Sequence, residues 1–228
     1  MRFLPFQERL LDVVSPVCER YALALAGGYA MRAHGFTDRL SRNLDFATEI
    51  GLTDVVSGVT GAFHAAALQT SIIEVTPRMG RLMIEDTATS ERCEFDLLRE
   101  ALQQPPVTCG TVRVLSVEDA IGLKMRALHE RSYARDVIDV ESVSHLYSFR
   151  ALESLAKPHN DHFSPSELAM RLEFVDLMGS EEFEAYGLGE EQIRQVRRFA
   201  QAWLEDIKLR RADDGDADYD YPDVPEID

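Results

Sequence analysis

Asn43 and Asp45 stand two residues apart in the run Arg39-Leu40-Ser41-Arg42-Asn43-Leu44-Asp45-Phe46, downstream of a Gly27-Gly28 pair. Side chains two apart on a strand share a face, so Asn43 and Asp45 would point together while Leu44 and Phe46 turn to the core. Consecutive glycines let the backbone turn tightly and bring N–H groups at a helix start close to a phosphate with no Cβ in the way. Metal-assisted phosphoryl or nucleotidyl transfer needs carboxylates that hold Mg²⁺ against phosphate oxygens, and cations that offset the charge of the transition state. Asp45 suits the first role and Arg39 the second. The competing interpretation is a buried strand pair with a Gly-Gly turn and an exposed asparagine.

These residues need elements to hold them. Residues 21–26 predict a short apolar strand, followed by the glycine turn, a helix carrying Ala30, Met31 and Ala33, and a strand centred on Leu44 and Phe46. Upstream, Leu10, Leu11, Val14 and Val17 recur at helical spacing, with a break or kink expected at Ser15-Pro16. Residues 52–68 read as a second helix with Thr53 as N-cap. Residues 70–98 alternate as a three-stranded meander in which Glu94 and Asp96 share a face, and residues 111–115 add a short strand. Ser116-Val117-Glu118-Asp119 is a capping box that opens a further helix. At 100° per residue, Lys124, Arg131 and Arg135 on an unbroken helix fall within about 40° of one another, a basic stripe that attracts phosphates. Asp139 lies about 60° from Lys124 on that wheel and Asp136 about 120°, which favours Asp139 as the lysine's partner provided no kink occurs near Ser132. The remainder to residue 211 is helical, broken around 157–160 and restarted at the capping sequence Ser164-Pro165-Ser166-Glu167. A last helix runs from near Gly189 through Trp203, expected to be a packing anchor. His159 and His162 have no third ligand nearby, so a zinc site is not expected.

Composition narrows the class. The formal charge is -16 over 228 residues, and about half of that excess belongs to residues 213–228, which carry eight carboxylates and no base. The tail from 212 to 228 has the composition of a disordered segment, leaving a mildly acidic body. Cys18, Cys93 and Cys109 have neither disulfide-framework nor metal-ligand spacing, which points to a reducing compartment, the cytoplasm. No apolar run approaches a membrane span and no secretory leader is evident, so no membrane partner is expected.

The glycine pair followed by Arg39-x-Ser41-x-Asn43-x-Asp45 and an aromatic resembles the signature of the AbiEii/AbiGii (MenT-like) nucleotidyltransferase toxins, a branch of the polymerase-β-type superfamily. A second block over residues 118–140 is similar to the family's K-x-x-A-x-x-x-R-x-x-x-R-D-x-x-D segment, with Lys124, Ala127, Arg131, Arg135, Asp136 and Asp139 in step. The resemblance covers roughly residues 5–145. It implies an α+β fold, with a polymerase-β-like nucleotidyltransferase core of mixed sheet and helices over 1–115. A helical bundle carrying the second block would span 116–211, and the acidic tail 212–228. It also implies an NTP substrate with Mg²⁺, or Mn²⁺, as cofactor, the tRNA 3′ acceptor end as target with a block of translation, and a cognate antitoxin as partner. On this resemblance Asp45 and Asp96 hold the metal, with Asn43 a weakened ligand where the family has a carboxylate. Gly27, Gly28, Arg39 and Ser41 cradle the triphosphate, with Arg131 and Arg135 contributing to nucleotide binding. Lys124 offsets phosphate charge, and Asp139 or Asp136 orients it or acts as base. Because Asn43 is neutral and a poorer Mg²⁺ ligand, two other expectations stand beside this one: a degenerate nucleotide- or RNA-binding regulatory protein, and a form disarmed by substitution. A nucleotidyltransferase acting on a small molecule is the alternative within the enzyme class.

Overall fold

The computed structural model describes residues 3–110 and 112–213; the tail from residue 214 on lies outside the described residues, and with it most of the expected disordered segment. The chain divides into two compact units, residues 1–123 and 124–228.

The first unit begins with α1 (Pro5–Arg20), β1 (Ala24–Leu25), α2 (Gly27–Ala33), β2 (Leu44–Thr48) and α3 (Leu52–Ala65). The meander follows as β3 (Gln69–Val75), β4 (Met79–Asp86) and β5 (Glu91–Arg99), then β6 (Val107–Cys109), β7 (Val112–Val114) and the start of α4 (Val117–Glu130). The strands form one mixed sheet in the order β3-β4-β5-β2-β1-β7-β6. β2 runs parallel to β5 and β1 parallel to β7, and the other neighbours are antiparallel. One face is dry: Leu44, Phe46, Phe95, Leu97, Leu82 and Ile84 are buried with Leu10 and Val14 of α1 and Val55, Val59 and Phe63 of α3. Phe46 stacks on Phe95 at 5.1 Å, and Phe63 meets Phe95 edge-on at 5.3 Å. Each such buried ring is worth about 1.5–3 kcal/mol of transfer free energy, which commits the alternate residues of the same strands to the other face.

Pro16 does not break α1, which is continuous through it. The proline deprives the Asp12 carbonyl of its helical donor, but both residues are exposed, so water can satisfy that group while Leu10 and Val14 keep the helix seated. Thr53 lies inside α3 rather than capping it; the N-cap is Gly51, with no side-chain cap. The expected first strand, 21–26, is trimmed to the two residues of β1, and β6 is a short strand the sequence did not suggest. Ser116 caps α4 as expected, its Oγ accepting from the Asp119 N–H at 3.0 Å.

The second unit holds the rest of α4, then α5 (Ala134–Glu141), α6 (Phe149–Ala156), α7 (Pro165–Val175), α8 (Ser180–Glu184) and α9 (Glu190–Asp213). Trp203 is fully buried, stacks on Phe149 at 5.0 Å and donates to Glu153 Oε1 at 3.0 Å, so it is the packing anchor expected of it. Arg210 closes the same carboxylate from α9. Ser164 accepts from the Glu167 N–H and Pro165 opens α7, as the capping sequence predicts.

The unbroken helix assumed for the basic stripe is not there. α4 ends at Glu130 and α5 begins at Ala134, and Ser132 between them has φ +51° with its N–H on the Ala127 carbonyl. A left-handed residue that folds its N–H back on the last turn terminates a helix, and Lys124, Arg131 and Arg135 therefore do not lie along one continuous face.

Candidate active site

In the first unit Gly27, Gly28, Arg39 and Asp45 converge on the junction of β1 and α2. Gly27 has φ +58°, a region that favours glycine, and a Cβ added there would overlap the Asp45 carboxylate. Backbone and side chain thus impose glycine for two separate reasons. A Cβ on Gly28 would sit 2.9 Å from the Arg39 guanidinium, so Arg39 lies over this turn. The Ala26 N–H donates to the Asp45 carbonyl at 2.7 Å, tying the turn to β2.

The loop carrying Arg39 and Ser41 is held from beneath by Gln7 of α1, a residue sequence reasoning missed. Gln7 is 1% exposed, and its Nε2 donates to the carbonyls of Ser41 and Arg42 at 3.1 Å each. The Tyr29 hydroxyl donates to Gln7 Oε1. A buried amide in an apolar helix face was the available signal, since such a group persists only when hydrogen-bonded.

Across the sheet, Asp45 of β2 and Asp96 of β5 are paired in parallel register, which sets their Cα atoms about one strand spacing apart on the same face. Asn43 precedes β2, and its Nδ2 donates to Glu94 Oε2 at 2.8 Å. Arg81 of β4, opposite Asp96, donates from Nε to Oδ1 at 3.0 Å and from Nη2 to Oδ2 at 3.3 Å, and its Nε lies 3.5 Å from Glu94. The Asp96 carboxylate raises the pKa of Arg81 further above its ordinary value. Glu94 and Arg81 are thus part of the polar face. Glu94 was visible as the residue that shares a face with Asp96, whereas Arg81 had no motif to announce it.

Among the described residues no three histidine, cysteine or carboxylate side chains form a ready metal cage. Mg²⁺ does not require one, because it keeps waters and takes phosphate oxygens beside one or two carboxylates. Asp45 and Asp96, adjacent in register, fit that need, with the Asn43 amide oxygen as a neutral third donor. A cleft of about 450 Å³ lined by Glu49, Arg78, Arg99, Glu100 and Ala101 lies beyond the C-terminal ends of β2 and β5 and includes none of the signature residues.

The second unit holds the other block. Lys124 Nζ lies 2.8 Å from Asp139 Oδ2 and 3.7 Å from Asp136 Oδ1, with the lysine side chain 8% exposed and both carboxylates fully buried. Asp139 is therefore the nearer partner, as the wheel suggested, although the helix on which that wheel was drawn is interrupted. Arg131 makes a bidentate pair with Asp136, Nε at 2.9 Å and Nη2 at 3.2 Å, and Arg135 Nε lies 4.0 Å from the same carboxylate. The interruption at Ser132 turns Arg131 onto Asp136, and the expected stripe is instead an ion-pair knot. A buried ammonium compensated in this way is costly to leave unpaired.

Among solved structures the chain is similar to JHP933 from Helicobacter pylori, with 18% identity, a TM-score of 0.53, and coverage of 92% of this chain and 95% of that one. It is also similar to MenT4, a nucleotidyltransferase toxin from Mycobacterium tuberculosis H37Rv, with 15% identity, a TM-score of 0.56 and 90% of each chain covered. At these identities the likeness is one of fold. No curated protein sequence matches the chain significantly. The sequence model of the nucleotidyl transferase AbiEii toxins, of type IV toxin–antitoxin systems, matches residues 9–186, a span that includes both the Gly27-to-Phe46 signature and the Lys124 block, and the chain belongs to that family of nucleotidyltransferase enzymes.

Proposed function

We propose that this nucleotidyltransferase moves a nucleoside monophosphate from an NTP to the 3′ end of tRNA in the cytoplasm, with pyrophosphate leaving, and so blocks translation until its cognate antitoxin intervenes. The observation that carries the reading is the juncture of Gly27, Asp45 and Asp96: a glycine turn pressed on a carboxylate that is paired in register with a second carboxylate. The choice of tRNA as acceptor rests on the resemblance to MenT-like toxins.

The residues divide the work. Gly27, Gly28, Arg39 and Ser41 form the cradle for the triphosphate, where backbone N–H groups and a guanidinium meet phosphate oxygens. Asp45 and Asp96, with Asn43 as a weaker donor, would hold Mg²⁺ or Mn²⁺, which when bound supplies Lewis-acid polarisation and charge neutralisation at the phosphates. The terminal ribose hydroxyl attacks the α-phosphorus as its proton passes to a carboxylate, Asp139 or Asp136 on the family resemblance, and the bond from the α-phosphorus to the oxygen bridging to the β-phosphate breaks, releasing pyrophosphate. Lys124 offsets charge on the phosphates, and Asp139, in direct contact with it, serves to orient the ammonium. RNA affinity leans on local positive charge, and Arg131 and Arg135, which lie over the Tyr133 ring at 5.3 and 5.6 Å, would contribute only what their pairing with Asp136 leaves available.

The test is to incubate the protein and its Asn43→Asp variant with total tRNA, Mg²⁺ and each radiolabelled NTP in turn. Label is expected at the 3′ end, more strongly with the variant, and lost when the terminal diol is oxidised beforehand. If neither protein labels RNA, the tRNA reading falls; NTP or RNA binding without pyrophosphate release would then establish the second one, a nucleotide- or RNA-binding protein without turnover, and pyrophosphate release without RNA labelling a small-molecule acceptor. The reading without turnover is favoured by one observation, the Asn43 amide that donates to Glu94 where the family carries a carboxylate.

A further inference from the structure

The polar face of the sheet carries a charged row that runs across four strands. Glu74 of β3 pairs in register with Arg81 of β4, Arg81 with Asp96 of β5, and Asp96 with Asp45 of β2. The guanidinium at the centre of the row reaches both oxygens of Asp96 and stands 3.5 Å from Glu94, whose other oxygen takes the Asn43 amide. A divalent ion seated between Asp45 and Asp96 would meet the same carboxylate that Arg81 holds.

We infer that Arg81 competes with a divalent cation for Asp96, so that this site takes a metal ion only by exchange with its own guanidinium. The inference rests on the metal reading of Asp45 and Asp96 given above, and extends it to a residue outside both family blocks. Two like charges on one small carboxylate repel, and the cost of that repulsion falls when other negative charges lie within reach. A carboxylate at position 43 would supply such a charge; Asn43 does not, and its amide also takes up part of the negative charge of Glu94. The clasp is nonetheless one that can open. The Arg81 side chain is 30% exposed, and it has Glu94 and Glu74 as other carboxylates on the same face. Asp96 itself is buried, but the guanidinium has a solvent-exposed side and other carboxylates to turn to, so it can leave Asp96 when another cation takes its place.

The experiment titrates Mn²⁺ into the full chain without nucleotide, following free Mn²⁺ by electron paramagnetic resonance. It compares the protein with Arg81→Gln, Arg81→Lys, Asp96→Asn, Arg81→Gln/Asp96→Asn and Asp45→Asn. Removing the guanidinium charge should tighten Mn²⁺ binding by about tenfold or more, as loss of a like charge at contact range predicts. The added Asp96→Asn change should erase that gain, and Arg81→Lys, which keeps the charge, should stay within about threefold of the parent. Arg81→Gln that binds Mn²⁺ no tighter, or more weakly, overturns the inference and makes Arg81 a residue that positions Asp96 for the metal. Failure of the underlying reading has a different signature: Mn²⁺ binds none of these proteins, or binds indifferently to Asp45→Asn, and the inference falls with it.

Discussion

The two units hold their charges in opposite ways. On the sheet of the first, Arg81 and Asp96 meet across neighbouring strands with side chains 30% and 9% exposed, flanked by Glu94, Asn43 and Asp45. In the second, Lys124 is 8% exposed and its two aspartates are fully buried. A pair with one partly solvated member exchanges partners at less cost than one buried on both sides, which loses several kcal/mol when either member is removed. On the proposed function, the open face would suit charges that trade with phosphate and metal, and the knot a charge that stays where it is put.

The contrast can be broken most forcefully at the knot. Asp139→Ala leaves the buried Lys124 ammonium with only Asp136 at 3.7 Å, which Arg131 already engages, and should cost about 3–5 kcal/mol of unfolding free energy by urea titration. Arg81→Ala removes a partly exposed guanidinium but takes both of its hydrogen bonds from the buried Asp96, and should cost less, about 1–2 kcal/mol, in the same assay. Equal losses would mean that burial does not separate the two regions.

Gly27→Ala tests the turn. The substitution forces a side chain into a left-handed position and against Asp45, for an expected loss of about 1–3 kcal/mol in stability and at least ~100-fold in nucleotide incorporation. Gly35, at φ +79° with open space around it, is the control: Gly35→Ala bears the backbone strain alone and should leave incorporation near the parent level.

Asn43→Asp sharpens the comparison from the other side. It removes the hydrogen bond to Glu94 and faces that carboxylate with another, so without metal the variant should be less stable by about 1–2 kcal/mol at neutral pH. A carboxyl beside a like charge has a raised folded-state pKa; its protonated form is the stabilised one, so the deficit should shrink as pH falls below the ordinary carboxyl range and grow as pH rises through the folded pKa. Mn²⁺ should reverse the deficit.

The smallest effect concerns His129, buried in the second unit. Burial lowers its pKa, and its Nε2 accepts the Ser164 N–H at 3.1 Å, a bond only the neutral ring can make. The unfolded chain takes up the proton first, so stability should hold above the ordinary value near pH 6.5 and decline as pH falls through it toward the folded pKa. His129→Gln should flatten that decline when urea midpoints are compared across pH.

Much of this was legible in residue order because its causes are local. Alternation across residues 43–46 and 94–97 assigns the dry and polar faces of β2 and β5, a φ-permissive Gly27 marks a turn, and Ser164-Pro165 announces a helix start through its own backbone donors. Asp139 was also nominated as the lysine's partner, but on an uninterrupted helix, and Ser132 at φ +51° shows that the contact is made by another route. Arg81 was illegible for the opposite reason: as one arginine on a middle strand of the meander it has no spacing to betray it, and its importance comes from being opposite Asp96. Gln7 is similar, since its role depends on a loop more than thirty residues away.

The sequence by itself determined which residues face the core, where the turn must be glycine, and the family to which both blocks point. Only the tertiary structure decided which charges meet: that Arg81 holds Asp96, that Asn43 serves Glu94, and that Arg131 turns onto Asp136. Hydrophobic alternation and capping are settled within a few neighbouring residues, whereas ion pairs are settled by strand register and by where a helix stops, which depend on the whole unit around them.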